Sequence, residues 1–228
     1  FVEAQAAAAL DHQNICSIYE IDESEDQIFI AMGYIEGQNL KDKIESGPLK
    51  TEESLKIAIQ IAEGLQEAHE KGIVHRDIKS ANIMITEKGQ VKIMDFGLAK
   101  LKGKSKLTKA GTTVGTASYM SPEQSMGKKV DHRTDIWSLG VVLYEMITGQ
   151  LPFKGDYEQA VVYSILNEEP EPITAIRTGI PQELERIINK ALVKDPAERY
   201  QHANDLIIDI QRLKKELELK RSKSKGDI

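Results

Sequence analysis

The chain has 228 residues and a net charge of −6, with 40% hydrophobic and 29% charged residues, which is typical of a globular domain with a substantial core. This composition excludes collagen-like and disordered chains, and no apolar run approaches the roughly 20 residues that a membrane-spanning helix needs. The single cysteine, Cys16, excludes a disulfide framework, and the slight excess of acidic residues argues against a nucleic-acid partner.

The first half of the chain predicts short strands interleaved with helices. Helix-forming residues and apolar spacing predict helices over residues 3–10 and 51–71, the second ending at Gly72. Runs of β-branched and aromatic residues bounded by turn residues predict four short strands, at 15–21, 27–32, 83–85 and 91–94. An acidic turn over 22–26 separates the first two strands.

The second half is mostly helical after one long loop. Residues 97–130 show neither helical nor strand period and are rich in Gly, Lys, Ser and Thr, and loops of this length are usually functional. Helices are expected over 135–148, from Pro181 onward and over 202–219. The order of elements predicts an α+β fold that is dominated by helices.

A cluster of chemically active residues lies between the long helix and the strand that follows it. The run from His75 to Asn82 contains Asp77, with Lys79 two residues later and Asn82 five residues later. A second aspartate, Asp95, begins the turn Asp-Phe-Gly after the next strand. A base, a fixed cation and oxygen ligands for a metal are the groups that phosphoryl transfer needs.

These two motifs, H-R-D-x-x-x-x-N and D-F-G, resemble those of the protein kinases. The segments Tyr119-Met-Ser-Pro-Glu123 and Asp135-Ile-Trp-Ser-Leu-Gly140 extend the resemblance to essentially the whole chain. The residues of these motifs and segments are similar to those of the eukaryotic-like (Hanks-type) serine/threonine protein kinases of bacteria. The resemblance implies a protein-kinase-like α+β fold with a mostly helical C-lobe and a truncated N-lobe.

The same resemblance implies a division of the chain. Residues 1–34 are expected to form a partial N-lobe, with helix C and two to three strands up to the hinge. Residues 35–212 are expected to form the C-lobe, with an activation loop at 95–123. Residues 213–228 form a basic tail, for which we favour a solvated helix end leading into a linker, and the alternative is a membrane-proximal segment.

Catalytic and metal-binding roles follow from the resemblance. Asp77 is expected to accept the proton of the substrate hydroxyl, and Lys79 to offset charge on the transferring phosphoryl group. Asn82 and Asp95 are expected to hold Mg²⁺, and Thr116 to contact the catalytic aspartate and lysine. His75 is expected to pack beside Phe96 rather than to bind a metal.

Nucleotide-binding roles are implied for two segments. Met32, Gly33, Tyr34 and Ile35 resemble the hinge at which the adenine of ATP docks through backbone hydrogen bonds. Glu3 resembles the helix glutamate that pairs with a strand lysine in the family. Neither that lysine motif nor the Gly-rich phosphate loop occurs in the 228 residues, so we expect this chain alone to have little activity.

The resemblance also implies regulatory roles for four residues and structural roles for three. An arginine beside the catalytic aspartate can pair with a phosphorylated loop residue, which makes Arg76 a regulatory candidate. The candidate acceptors are Thr108, Thr112 and Thr113. Glu123 and Arg199 resemble a buried ion pair, and Asp135 resembles an aspartate that hydrogen-bonds the catalytic-loop backbone.

The expected function is therefore transfer of the ATP γ-phosphate to Ser or Thr of protein substrates, with activation-loop autophosphorylation. Self-association for trans-autophosphorylation is a further expectation. We expect the domain to be cytoplasmic, with any membrane anchor of the intact protein lying downstream. The alternative is a pseudokinase or scaffold that binds partners without catalysis.

Overall fold

The computed structural model describes residues 8–24, 27–96 and 117–226. The first two strands, β1 (Ile18–Ser24) and β2 (Gln27–Met32), form an antiparallel pair in which Ile21 faces Ile30. The expected turn at 22–26 is therefore shorter than predicted, because Asp22 pairs with Phe29 and continues the strand. Ile15 does not belong to β1, and instead forms an isolated parallel bridge with Ile93.

A second sheet carries the expected strand pair of the middle of the chain. It contains β3 (Gly37–Asn39), β4 (Ile83–Thr86) and β5 (Val91–Ile93), all antiparallel, in the order β3-β4-β5. The short strand β3 was not predicted, since three polar residues carry no strand pattern. A Cβ at Gly37 would lie 2.1 Å from the carbonyl oxygen of Ile85, so only glycine allows this close strand approach.

The long helices form the body of the molecule. Helix α1 (Leu40–Glu45) is short and was not predicted, whereas the long helix α2 spans Thr51–Glu70, close to its predicted bounds. Helix α4 (Arg133–Thr148) is buried at every position from Thr134 onward and ends at Gly149, which has a left-handed φ of 72°. The expected apolar helix is thus the centre of the core, with α2 and the helix that follows Pro181 packed against it.

The remaining helices are short or peripheral, apart from the last. They are α3 (Pro122–Ser125), α5 (Glu158–Asn167), α6 (Ile173–Ile176), α7 (Gln182–Ala191) and α8 (Ala203–Gly226). Helix α3 lies within the segment that was expected to be loop, where Ser121 and Gln124 form a capping box around Pro122. Helix α8 runs seven residues beyond the predicted end at Leu219 and packs along α2. Among the described residues, no helix has the length and apolar character needed to cross a membrane.

Candidate active site

The loop between α2 and β4 (residues 71–82), which the resemblance identifies as the catalytic loop, is held in place by one buried carboxylate. Asp135, in the first turn of α4, accepts hydrogen bonds from the backbone N–H groups of His75 and Arg76, both at 2.8 Å. His69 Nε2 lies 2.8 Å from the same carboxylate. Burial is the largest influence on the pKa of Asp135 and raises it, but His69, His75 and the backbone N–H of Arg76 together outweigh burial and hold that pKa below its ordinary value. The carboxylate therefore stays charged and fixes the loop backbone.

The loop backbone is strained where the carboxylate holds it. Arg76 has a φ of 68°, a left-handed backbone conformation that residues other than glycine rarely adopt. Asp95 has a similar φ of 60°. Strained backbone of this kind persists only where its surroundings determine it, and it is concentrated at functional sites.

His75 packs as expected. Its ring is fully buried and meets the Phe96 ring edge-on, with centroids 4.5 Å apart. Nε2 lies 2.8 Å from the carbonyl oxygen of Met94, and Nδ1 accepts the backbone N–H of Asp77 at 3.2 Å. Because both ring nitrogens are engaged, neither can serve as a metal ligand.

Asp77, Lys79 and Asn82 are brought into one cluster. The ammonium of Lys79 donates to both carboxylate oxygens of Asp77, at 3.2 and 3.0 Å. The amide nitrogen of Asn82 donates to the carbonyl oxygen of Asp77 at 2.8 Å and to its carboxylate at 3.2 Å. The side chains of Asp77 and Lys79 keep 24% and 17% of their surface exposed, so both can reach a substrate.

Asn82 and Asp95 lie at the same end of the β4–β5 pair. Ile83 faces Ile93 across the two strands, and the backbone N–H of Met94 donates to the carbonyl oxygen of Asn82 at 2.8 Å. The amide nitrogen of Asn82 is directed at Asp77, which leaves its side-chain oxygen as a ligand. No described residue donates a hydrogen bond to the carboxylate of Asp95. This pair of oxygen donors fits Mg²⁺, which is usually held by one or two protein groups together with phosphate oxygens.

The expected hinge follows β2 directly. The backbone N–H of Gly33 donates to the carbonyl oxygen of Ser17. The Cys16 thiol donates weakly to the Gly33 carbonyl oxygen at 3.4 Å. The N–H of Ile35 has no hydrogen-bond partner among the described residues, and Tyr34 is 93% exposed. A carbonyl with a spare lone pair and a nearby unpaired N–H, as at Gly33 and Ile35, can hydrogen-bond an adenine edge.

The expected ion pair lies under the start of α3. The Arg199 guanidinium donates to both Glu123 oxygens, at 2.9 and 2.8 Å, and its remaining donors reach backbone carbonyl oxygens. Burial is the largest influence on the pKa of Glu123 and raises it, but Arg199, with hydrogen bonds from the Glu123 backbone and from Ser121, outweighs burial and lowers that pKa overall. Gln124, next along the helix, donates to the carbonyl oxygen of Arg76 at 2.8 Å, which ties α3 to the catalytic loop.

Five candidate residues lie outside the described part of the chain, so their contacts are not part of this site. They are Glu3, Thr108, Thr112, Thr113 and Thr116. Met32, also a hinge candidate, is the last residue of β2 and is partly buried.

Sequence reasoning missed three residues that meet behind the catalytic loop. Ser80, Tyr119 and Glu145 lie within hydrogen-bond distance of one another. The one signal in the sequence was Glu145, a carboxylate among the mostly apolar residues 136–147 of α4. Gln124 carried no signal, because its partner is 48 residues away.

Comparison with known proteins gives the family of the chain. A family model described as the protein kinase domain matches residues 1–208. A "probable serine/threonine-protein kinase" of Clostridium perfringens is 43% identical over 215 residues, which are 94% of this chain and 31% of the relative. The serine/threonine-protein kinases PknB of Mycobacterium leprae and PrkC of Bacillus subtilis are 40% and 41% identical over 92% of this chain.

The chain spans about a third of the length of these relatives, covering 35% of PknB and 32% of PrkC. The resemblance found in the sequence, to bacterial serine/threonine kinases of the Hanks type, is confirmed by these matches, and so is the protein-kinase-like α+β fold class. The chain belongs to the protein kinase domain family.

Proposed function

We propose that this chain is the catalytic domain of a serine/threonine protein kinase that transfers the γ-phosphate of ATP to Ser or Thr of protein substrates. The observation that carries the proposal is the cluster in which Lys79 and Asn82 both contact the carboxylate of Asp77. The names of the relatives support the same activity and residue specificity.

The cluster is suited to orienting a hydroxyl group. The partly exposed carboxylate of Asp77 accepts the proton of a substrate hydroxyl and aims its oxygen at the phosphorus atom. Lys79 lies beside it and supplies a fixed positive charge for the oxygens of the transferring group. Asp135 holds the backbone at His75 and Arg76, so the carboxylate of Asp77 has little freedom to reorganise.

In this proposal the metal is held by Asn82 and Asp95, and the nucleotide base by the hinge. Asn82 and Asp95 present oxygen ligands to Mg²⁺, which when bound neutralises charge on the nucleotide phosphates. Gly33 and Ile35 present backbone groups to the adenine, with Met32 and Tyr34 flanking them. In this proposal residues up to 34 belong to the N-lobe, and 35–212 form the C-lobe.

Regulation by the loop is the finer part of the proposal. Arg76 receives a phosphate placed on Thr108, Thr112 or Thr113 by autophosphorylation between two copies, and Thr116 assists at Asp77 and Lys79. Residues 1–228 alone are expected to transfer phosphate slowly, because they contain no Gly-rich loop and no V-A-I-K lysine.

The test is phosphotransfer by the full-length protein with radiolabelled ATP, Mg²⁺ and a generic protein substrate. Asp77→Asn keeps the shape of the side chain but cannot accept the proton, so we expect a loss of at least about 100-fold in kcat, with ATP affinity retained. Asp156→Asn, at an exposed position of the C-lobe, is the matched control and should change nothing. Binding of ATP without any phosphotransfer in the wild type would instead establish the scaffold alternative.

A further inference from the structure

Three buried oxygen-bearing side chains close a triangle behind the catalytic loop. Ser80 Oγ lies 2.9 Å from Tyr119 Oη, Tyr119 Oη lies 2.7 Å from Glu145 Oε2, and Glu145 Oε1 lies 3.3 Å from Ser80 Oγ. Their residues expose no more than 9% of their surface. The triangle joins the catalytic loop, the segment before α3 and the buried helix α4.

Counting protons shows what this triangle requires. Each hydroxyl carries one proton, so Ser80 and Tyr119 together can make two full hydrogen bonds. Three contacts need three protons, and the third can come only from the carboxyl group of Glu145. If Glu145 were ionised, one contact would lack a proton and Ser80 would have to share its own between two acceptors.

The surroundings of Glu145 favour the neutral carboxyl group. No described Lys, Arg or His forms an ion pair with it. The charged groups that face it from α1 are Lys41 and Glu45, whose effects on its pKa have opposite signs. Burial raises the pKa of Glu145 and outweighs the hydrogen bonds from Tyr119 and Ser80. A buried carboxyl group without a cation avoids the cost of charge by keeping its proton.

We propose that Glu145 keeps its proton at neutral pH and closes a hydrogen-bond ring with Ser80 and Tyr119 that positions the catalytic loop. In this ring the carboxyl group of Glu145 donates to Ser80, the hydroxyl of Ser80 donates to Tyr119, and the hydroxyl of Tyr119 donates to Glu145. Its role in catalysis rests on the proposed kinase function, whereas its protonation does not. The three are positioning residues, since they act through their chain neighbours.

The ring is placed where it can transmit order to the site. Ser80 follows Lys79 directly and begins the short 3₁₀ turn Ser80–Asn82. Tyr119 lies two residues before Ser121, which caps α3. A fixed Ser80 therefore limits the motion of the Lys79 ammonium and the Asn82 amide relative to the buried helix.

Kinetics of the full-length protein test the positioning role. Glu145→Gln should preserve the ring, because the amide N–H of the new side chain donates to Ser80 and its amide oxygen accepts from Tyr119. We expect it to stay within about twofold of wild-type kcat, whereas Ser80→Ala and Tyr119→Phe lower kcat about fivefold, with the KM for ATP unchanged. Tyr163→Phe, on the exposed face of α5, is the matched control. A loss in Glu145→Gln as large as that in Tyr119→Phe would overturn the proposal.

Infrared spectroscopy tests protonation without any need for activity. The difference spectrum between wild type and Glu145→Gln at neutral pH should contain the carbonyl band of a protonated carboxyl group, and only the carboxylate bands if Glu145 is ionised. The second result refutes the ring even in an active kinase. If the carbonyl band is present but the protein transfers no phosphate, the ring is supported and the proposed kinase function is refuted instead.

Discussion

The guanidinium of Arg199 and the carboxylate of Glu123 form a two-point hydrogen bond that is almost completely buried, at 2.9 and 2.8 Å. The two residues are 76 positions apart, so their pairing fixes the start of α3 against the segment before α8. The Arg199 side chain has no exposed surface, and its other hydrogen bonds go to the backbone carbonyl oxygens of Val193, Arg133 and Lys194.

Removing one partner of this pair should be strongly destabilising. In Glu123→Gln the buried guanidinium keeps its charge but loses its counter-charge, so we expect a loss of about 3–5 kcal/mol in the free energy of unfolding, measured with urea. Arg186→Ala breaks an exposed pair with Glu183 and serves as the control, with an expected effect below about 1 kcal/mol. Equal effects in the two variants would show that the buried pair contributes nothing special.

Acid should weaken the contact of Asp131 with Arg133. Hydrogen bonds from Arg133 lower the pKa of Asp131 to about 2. A lowered pKa means that the folded state binds fewer protons than the unfolded state, so this stabilisation is present above the ordinary aspartate value of about 3.9 and is lost as the pH falls towards 2.

The measurement is the free energy of unfolding as a function of pH. Asp131→Asn should be less stable than wild type at neutral pH, and the difference should shrink between about pH 4 and pH 2. Asp156→Asn should follow the wild-type curve throughout. A difference that does not change over that pH range would rule out the Asp131 carboxylate as its source.

Exchanging one oxygen of Asp135 for nitrogen should loosen the catalytic loop. In Asp135→Asn, an amide N–H₂ faces backbone N–H donors that the carboxylate accepted, which leaves a buried donor unpaired at a cost of about 1–3 kcal/mol. We expect faster amide hydrogen exchange at His75 and Arg76, measured by mass spectrometry. Asp205→Asn changes an exposed aspartate that also accepts a backbone N–H, and should leave exchange at the loop unchanged. Unaltered exchange in Asp135→Asn would show that this side chain does not fix the loop backbone.

Replacement of the Asp95 carboxylate should raise the need for Mg²⁺. Asp95→Asn keeps an oxygen donor but loses the negative charge, so the Mg²⁺ concentration for half-maximal phosphotransfer by the full-length protein should rise at least about tenfold. Calorimetric titration of Mg²⁺ into the protein–ATP complex gives the affinity for Mg²⁺ directly if activity is too low to follow, and that affinity should fall. An unchanged Mg²⁺ requirement would remove Asp95 from the metal site.

The sequence by itself determined the parts that are encoded in consecutive residues. The helix Thr51–Glu70 and the buried helix Arg133–Thr148 were predicted within two residues, because each repeats apolar side chains over several turns and meets a glycine at its end. The run from Asp77 to Asn82 is likewise local, so the resemblance carried by this motif predicted that Asp77, Lys79 and Asn82 belong to one site.

Tertiary structure decided which distant residues meet. The short helices Pro122–Ser125 and Ile173–Ile176 have too few residues to show a period. The first is held by its capping box, and the second by packing on neighbouring helices. Gln124 reaches Arg76 because α3 lies against the catalytic loop, and Glu145 reaches Ser80 and Tyr119 because α4 crosses behind that loop. Burial at that crossing removes water as a partner, so these polar groups must pair with each other, and no local sequence pattern records a pairing of that kind.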